Sequence, residues 1–419
     1  MAHTFRSLAE PNYRHWFAGA LISNTGTWMQ RTAQDWIVLT SLTNSNASAL
    51  GVTMALQMGP QLIMFPFAGA LADRFSKRKL LIVTQALLGT VGLILFALVV
   101  TGLIELWHVY VLALVLGILA TLDNPARQAF VSELVGERLL PNAVSLNSAS
   151  FNGARMIGPG VAGVLTALVG AAPVFLISGL GFAATLFVLV RLDRSRLHSS
   201  GRRGGGGILG GFRYLRRRPD IAIVLAVLFL VATFGFNFNI YTATMAHVEF
   251  GKDASGFGLL NSIMAIGSVA GALASANREK PRLRFVFGAA GGFGLAVGLA
   301  SLIANYYLFA ASLVLVGFAS LTMMTSANAY VQTTTPAHYR GRVMAIYAAV
   351  VMGGTPIGAP LAGWVADSFG PRMAMVVGAT SGFVAFGVGL LWMIVSKNLR
   401  LSYDPRSRIR LHISYEGRP

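Results

Sequence analysis

The chain alternates between long apolar runs and short charged segments, and this alternation restricts its fold more than any other feature. In "GALADRFSKRKLL", residues 69–81, four cationic residues occupy six positions between two apolar stretches. A helix that crosses a bilayer needs roughly 20 mostly apolar residues. Twelve stretches meet this requirement, at residues 16–42, 48–72, 80–101, 107–131, 141–168, 171–192, 220–246, 255–276, 284–304, 306–332, 342–366 and 372–395.

Composition supports a membrane location for these runs. The chain is 55% hydrophobic and only 11% charged, whereas soluble proteins carry about 25% charged residues. A soluble fold would expose large apolar patches, so we predict an all-α polytopic membrane protein with twelve transmembrane helices and lipid neighbours. The formal net charge of +18 would suggest nucleic acid for a soluble protein. Here the cations lie in loops, and we predict no nucleic-acid partner.

The cationic residues fall in alternate loops. Of the 33 Lys and Arg residues, all but four lie in the terminal segments or in the loops on one side of the predicted spans. The four exceptions are Arg31, Arg155, Lys252 and Arg372. Loops that are rich in Lys and Arg stay in the cytoplasm, so both termini are predicted to be cytoplasmic.

A basic, Gly-rich linker and an internal repeat divide the chain into two halves. The linker, residues 193–219, is predicted to be flexible and either contacts anionic lipid headgroups or is simply solvated. "IGPGVAG" at 157–163 matches "IGAPLAG" at 357–363. Such repeats are typical of secondary transporters. We predict two pseudo-symmetric six-helix bundles, 1–192 and 220–396, followed by a basic cytoplasmic tail, 397–419.

The sequence lacks the motifs of nucleotide-driven and metal-dependent proteins. The glycines at 204–211 have neither the Lys nor the hydroxyl residue of a phosphate-binding loop. The seven His residues show no metal-ligand spacing, and the chain has no Cys. We therefore predict no enzymatic activity, cofactor or metal site. Energy would come from an ion gradient or from the gradient of the substrate itself.

Predicted span one carries ionisable residues, which are costly inside a bilayer and therefore indicate function. Arg31 and Asp35 are four residues apart and share a helical face, with Gln34 beside them. Two interpretations remain open. Asp35 is a protonatable coupling site with Arg31 as its partner, or the two form a static ion pair. On either interpretation this face, including Gln34, lines a protein or water-filled interior.

Polar residues in other spans are further cavity candidates. Arg155 has Asn152 on the same helical face. Three roles remain open for Arg155: it binds an anionic group of the substrate, it pairs with a carboxylate on a neighbouring helix, or its role is purely structural. Phe238 and Asn239 lie in "TFGFNFNIY", where alternating aromatic and amide side chains form either a binding wall or a packing surface. Asn328 and Tyr347 complete the set of cavity candidates.

Predicted span four contains "LDNPARQAF", in which Asp123 and Arg127 are again four residues apart. Pro125 between them is expected to kink the helix. The pair lies towards the predicted cytoplasmic end of the span. We therefore interpret it as a gate or a structural pair rather than a substrate contact.

The opening segment resembles the signature turn between spans two and three of the major facilitator superfamily, G-x-L-A-D-R-x-G-R-[KR]. It has Gly69, Asp73, Arg74 and Lys77 in the matching positions, with Ser76 where the family prefers Gly. The resemblance implies a cytoplasmic latch. Asp73 would face the positive N-terminus of span eleven and pair with Lys77, and Glu133 would be the third acidic partner. The alternative is a basic turn that only sets topology.

The segment "GARMIGPGVAG", 153–163, is similar to the Gly-Pro signature in span five of exporters of this superfamily. Its Gly153, Gly158 and Gly163 are expected to permit close helix packing, and Pro159 to bend the span. The resemblance implies export rather than uptake.

Longer segments, among them "TGTWMQRTAQDWIVL" and "DNPARQAFVSELV", look like the bacterial transmembrane secretion effector branch. The resemblance implies a monomeric transporter of the bacterial inner membrane that exports a small amphipathic organic compound, such as a drug-like metabolite or a siderophore. Exchange for protons would supply the energy. Uptake or uniport of a small solute, and a non-transporting membrane sensor on the same scaffold, are the alternatives.

Overall fold

The computed structural model describes residues 5–198, 209–276, 282–397, 399–403 and 411–415. It is dominated by helices. They are α1 Pro11–Ile37, α2 Ala47–Arg74, α3 Lys77–Val100, α4 Leu106–Leu134, α5 Leu140–Val169, α6 Ala172–Arg191, α7 Leu209–Leu215, α8 Pro219–Phe234, α9 Phe238–Thr244, α10 Ala254–Ala276, α11 Leu283–Leu302, α12 Tyr306–Thr334, α13 Ala337–Phe369 and α14 Pro371–Lys397. Each predicted span coincides with a helix to within about five residues, except that the seventh is interrupted.

Within the described part of the chain, nine helical segments are long and apolar enough to cross a membrane. The long helices α1 and α5 are not among them. Each carries polar side chains within its length, for example Gln30 in α1 and Asn152 in α5. Helix α2 is described with its side chains only as far as residue 64.

The helix contacts repeat along the chain. Helix α1 packs against α5 and α6, and α8 packs against α13 and α14. The pairs α2–α4, α3–α4 and α3–α6 correspond in order to α10–α12, α11–α12 and α11–α14. Two further pairs, α2–α13 and α5–α10, join the first set of helices to the second. The repeated contacts are those expected from the internal sequence repeat.

The seventh predicted span consists of two helices, α8 and α9, with a break at residues 235–237. The freed backbone carbonyls have side-chain partners: Tyr241 Oη donates to Phe234 O at 2.6 Å and Asn237 Nδ2 donates to Thr233 O at 2.8 Å. An interrupted helix is tolerated inside a membrane protein only when such partners exist. Gly378 on α14 leaves the space that the Tyr241 ring occupies.

Two segments depart from the predicted linker and tail. Helix α7 lies within the predicted flexible linker and packs against α13, and residues 199–208 of that linker lie outside the described residues. In the tail, β1 Leu399–Tyr403 and β2 Leu411–Tyr415 pair antiparallel, with Leu401 opposite Ile413. An all-α prediction does not include this hairpin. The alternation of apolar and polar residues in "LRLSY" is the pattern that favours a strand.

Candidate functional site

Asp35 lies where the two sets of helices meet. Its side chain is completely buried, and Oδ2 accepts a hydrogen bond of 2.8 Å from Nδ2 of Asn239 on α9, 204 residues away. The other carboxylate oxygen, Oδ1, is buried and has no hydrogen-bond partner among the described residues. Asn239 is the second residue of α9, the helix that follows the break in the seventh span. The interruption therefore brings an amide donor to the acid of α1.

Arg31 and Asp35 do not form the direct ion pair that the sequence predicts. No ion pair within 4.0 Å joins them among the described residues. The Arg31 guanidinium lies 5.6 Å from the ring centroid of Trp28, and the Arg155 guanidinium on α5 lies 5.9 Å from the same ring. Gly158 permits this approach, because a Cβ there would lie 2.7 Å from Trp28 Cβ. Arg31 and Arg155, both predicted to line the cavity, thus lie near the same Trp28 ring.

The ends of α1 and α13 and the starts of α2 and α10 form what we call the α1–α2 end of the molecule, and it is closed. Trp36 stacks on Phe257 of α10 at 5.7 Å and meets His247 edge-on at 5.5 Å. On α13, Asp367 accepts hydrogen bonds from Ala47 N at 2.7 Å and Ser48 N at 2.8 Å. Its carboxylate thereby caps the positive N-terminus of α2.

Glycines bring the helices close at the same end. A Cβ on Gly363 would run into the carbonyl of Ala47, and one on Gly51 would run into the backbone of Ala359. Between α5 and α10, a Cβ on Gly258 would lie 3.0 Å from the Cα of Gly163. The buried Pro159 also belongs to this contact, since its carbonyl oxygen would lie 2.6 Å from the same Cβ. Gly153 lies outside it, and no described atom is within 4 Å of a Cβ placed there.

At the opposite end, where α2 ends and α3 begins, Lys77 Nζ lies 3.2 Å from Glu133 Oε1. The pair joins the start of α3 to the end of α4. The latch candidates Gly69, Asp73 and Arg74 lie outside the residues whose side chains are described. The buried Arg78, which is not among the predicted latch residues, donates to the carbonyls of Leu189 and Val190, both at 2.7 Å. Arg78 therefore caps α6.

Asp123 and Arg127 form a buried network on the inner side of α4. Arg127 Nε donates to Asp123 Oδ2 at 2.9 Å, and Asp123 Oδ1 accepts from Thr84 Oγ1 and Gln85 Nε2, both at 2.7 Å. The guanidinium also lies 5.3 Å from the ring of Trp16. Every partner belongs to α1, α3 or α4. This arrangement is what the structural interpretation of the pair requires.

We expect Asp123→Asn to lower the free energy of unfolding by about 3–5 kcal/mol, the usual cost of removing one partner from a buried ion pair. Thermal unfolding of the purified protein in detergent measures the loss. Thr84→Val is the matched control, because it removes a single hydrogen bond worth about 1 kcal/mol. An unchanged unfolding midpoint together with lost transport would favour a gate over a structural pair.

The remaining cavity candidates occupy different surroundings. Gln34 faces the neighbouring helices, donating to Val109 O at 3.4 Å and accepting from Gln57 at 3.3 Å. Phe238 packs on Phe236 at 5.6 Å and is thus part of an aromatic cluster. The other three candidates form hydrogen bonds with residues other than Asp35. Asn152 is exposed and donates to a backbone carbonyl of its own helix, Asn328 accepts from Gln332, and Tyr347 donates to Met324 O.

A groove of about 400 Å³ lies between α11 and α12. Exposed leucines line it, among them Leu295, Leu299 and Leu315. Such a surface is what a lipid-facing helix pair presents. The groove includes none of the predicted site residues.

The whole sequence permits a decision about the family. The profile of the transmembrane secretion effectors matches residues 2–408. The chain belongs to the transmembrane secretion effector family. The chain is 25% identical to the staphyloferrin A transporter of Staphylococcus aureus over 418 residues, which covers 93% of this chain and 98% of that protein. It is 29% identical over 359 residues to the enterobactin exporter EntS of Salmonella typhi, covering 84% of each.

Solved structures show the same fold. A mutant form of the nucleoside transporter NupG superposes with a TM-score of 0.72 at 13% identity, covering 91% of this chain and 99% of that one. A bacterial homologue of the human lysosomal transporter Spinster, inward-facing and unoccupied, has a TM-score of 0.70 at 14% identity, covering 91% and 97%. The family match and the transporter relatives place the chain among the transporters of the major facilitator superfamily, which are not enzymes.

Proposed function

We propose that the chain exports small amphipathic organic compounds, such as siderophores or drug-like metabolites, in exchange for protons. Twelve helices would cross the bilayer as two pseudo-symmetric six-helix bundles. Helices α1, α2 and α5 have 27, 28 and 30 residues, and roughly 20 suffice for a span. The repeated helix contacts and the likeness to transporter folds support this count.

The loop charges support an orientation with both termini in the cytoplasm. The α1–α2 end would then face the periplasm. Contacts that join the two bundles through described side chains lie between the middle of the helices and this end, from Leu62 beside Gly353 to Asp367 at Ala47. Towards the other end, Ser145 and Asn152 of α5 are exposed. This distribution supports a state that is open to the cytoplasm, in which a substrate for export would enter.

The observation that carries the proposal is the Asp35–Asn239 hydrogen bond between the bundles. Opening of the periplasmic end would separate α1 from α9 and expose the carboxylate to water. A carboxylate that is enclosed in one state and hydrated in the other has a different proton affinity in each. Proton occupancy therefore biases the equilibrium between the two states, which is the thermodynamic condition for coupling.

Export is favoured over uptake by the Gly-Pro segment of α5 and by the similarity to a protein named as an exporter. Lys77 and Glu133 already form an ion pair in the present state, and in the outward-open state Asp73 would join them to complete the cytoplasmic latch. The Asp367 cap on α2 would hold the opposite end closed in the present state. One monomer in a lipid bilayer would suffice for this cycle.

Inverted membrane vesicles test the proposal. A gradient that is acidic inside is expected to drive fluorescent amphiphiles into the vesicles, and a protonophore is expected to collapse the accumulation. Vesicles without the protein are the control. Accumulation that ignores the gradient for every amphiphile would contradict antiport and leave uniport. Gradient-dependent accumulation only in right-side-out vesicles would indicate uptake, and no movement in either orientation would indicate a sensor.

A further inference from the structure

Trp28 holds two cations from different helices. Arg31, on α1, and Arg155, on α5, place their guanidinium carbons 5.6 and 5.9 Å from the centroid of the indole ring. Phe151, one turn before Arg155, meets the same ring edge-on at 5.9 Å. An aromatic face attracts a cation, but it does not neutralise the charge of either guanidinium.

In the described part of the chain, Asp35 is the carboxylate that acts electrostatically on Arg31, and none is seen to act on Arg155. Across the described residues, no carboxylate oxygen lies within 4.0 Å of either guanidinium. Arg31 Nε is buried and has no hydrogen-bond partner in the part of the chain that the structure describes. Asp35, four residues from Arg31, directs Oδ2 at Asn239. Arg127, in contrast, has the carboxylate partner that a structural cation within the membrane requires.

The shape and surroundings of the cluster restrict what it binds. A guanidinium is a planar fork whose N–H groups match the two oxygens of a carboxylate. Phe151 is 43% exposed, and Trp28 is only half-buried, so apolar ring surface is accessible beside the charges. A ligand with an anionic group on an aromatic body would satisfy both parts of the cluster.

We propose that Arg31, Trp28 and Arg155 form a subsite for the carboxylate of an aromatic organic anion, which identifies the class of compound that the transporter carries. The subsite rests on the proposed export function. It predicts preference for anionic amphiphiles over neutral and cationic ones of the same shape. Asp35 is then the coupling acid next to the substrate anion, and Arg31 separates the two negative groups along α1.

Calorimetric binding to the full-length protein in lipid nanodiscs tests the subsite. The probes are 2-naphthoate, its neutral analogue 2-naphthamide and the cationic 2-naphthylmethylammonium. We expect 2-naphthoate to bind at least about tenfold more tightly than the amide, as is usual for hydrogen bonds to a charged group. Arg155→Gln should remove this preference and leave the affinity for the amide unchanged, while Arg155→Lys should retain part of it.

Arg138→Gln is the matched control, because Arg138 is an exposed arginine that lies before the start of α5 at Leu140, several helical turns from Arg155. Thermal unfolding verifies that each variant is folded. If Arg155→Gln does not fold, Arg155→Lys and Trp28→Leu provide the comparison. Equal affinities for naphthoate and naphthamide, an absence of naphthoate binding, or an equal loss for both probes in the Arg155 variants would overturn the subsite.

Transport of the same probes separates this proposal from the export proposal. Gradient-driven accumulation of the amide or the amine without any preference for naphthoate would exclude the anion subsite and leave export intact. Arg155-dependent binding of naphthoate with no accumulation of any probe would retain the subsite and refute export. Preferential, Arg155-dependent accumulation of naphthoate would support both.

Discussion

Asp35→Asn is expected to abolish accumulation against a gradient while leaving passive exchange of substrate intact. A difference of one pH unit supplies about 1.4 kcal/mol per proton, which supports about tenfold accumulation when one proton exchanges for one substrate. Without a titrating group at position 35 the ratio should fall to about one. Vesicle accumulation at a series of imposed pH gradients measures the slope directly.

The substitution is well matched to the structure. An amide oxygen at position 35 still accepts the hydrogen bond that Asn239 Nδ2 donates at 2.8 Å. The contact between the bundles therefore persists while the titration is lost. Asn239→Ala does the reverse, because it removes the donor and leaves the acid. We expect Asn239→Ala to change the transport rate but to retain dependence on the pH gradient.

His247 is a second titratable side chain near this contact, since it packs on Trp36, the residue after Asp35. His247→Gln is therefore the control for a histidine-based proton site, and we expect it to retain gradient-driven accumulation. If Asp35→Asn responds to the gradient as the wild type does and His247→Gln does not, the proton site belongs to His247. If both variants respond normally, neither group couples transport to protons.

Sequence reasoning located the helices because apolar length is a local property. Helix α3, Lys77–Val100, has a long, mostly apolar run without charged residues after its basic start, and nothing distant is needed to recognise it. The break between α8 and α9 depends on Tyr241, whose hydroxyl caps Phe234 and whose ring needs the space beside Gly378. Only the tertiary structure contains that relation, so a continuous span was predicted.

The candidate site, like the fold, combines features that are visible in the local sequence with features that only the tertiary structure provides. Polar residues in the spans can be recognised from the sequence, but their neighbours follow from packing. Gln34 is adjacent to Asp35 in the chain, yet one residue is about 100° of rotation on a helix, and Gln34 bonds to Gln57 and Val109 instead. The role of Asp367 was missed because only the fold brings it to the start of α2, 320 residues away.

The second large effect is expected at the closed end, where Gly363→Leu should shift the transporter towards the state that is open at the α1–α2 end. Any side chain at position 363 meets the backbone of Ala47 and Ser48, which has no room to yield. Overpacking costs about 1–3 kcal/mol, which lowers the ratio of closed to open molecules by up to about a hundredfold. Turnover should fall accordingly, because each cycle passes through the closed state.

Thiol labelling can report this shift without background, because the chain contains no cysteine. Ala47→Cys places a thiol at a position that is 1% exposed in the closed state. We expect a membrane-impermeant maleimide to label it slowly in the otherwise unaltered protein and much faster when Gly363→Leu is added. Gly387→Leu is the control, since a Cβ there has no described atom within 4 Å.

Asp367→Asn tests whether the carboxylate at this contact, rather than the close backbone packing at Gly363, keeps the α1–α2 end closed. The amide keeps the size of the side chain and one acceptor oxygen, but it loses the charge that faces the N-terminus of α2. The lost charge contributes about 0.3–1 kcal/mol and the hydrogen bond that the amide nitrogen cannot accept about 1 kcal/mol, so we expect labelling to be faster by roughly ten- to thirtyfold rather than a hundredfold. Equal labelling in all three variants would mean that the α2–α13 contact does not control access. Faster labelling in Asp367→Asn than in Gly363→Leu would mean that charge, rather than close packing, holds this end shut.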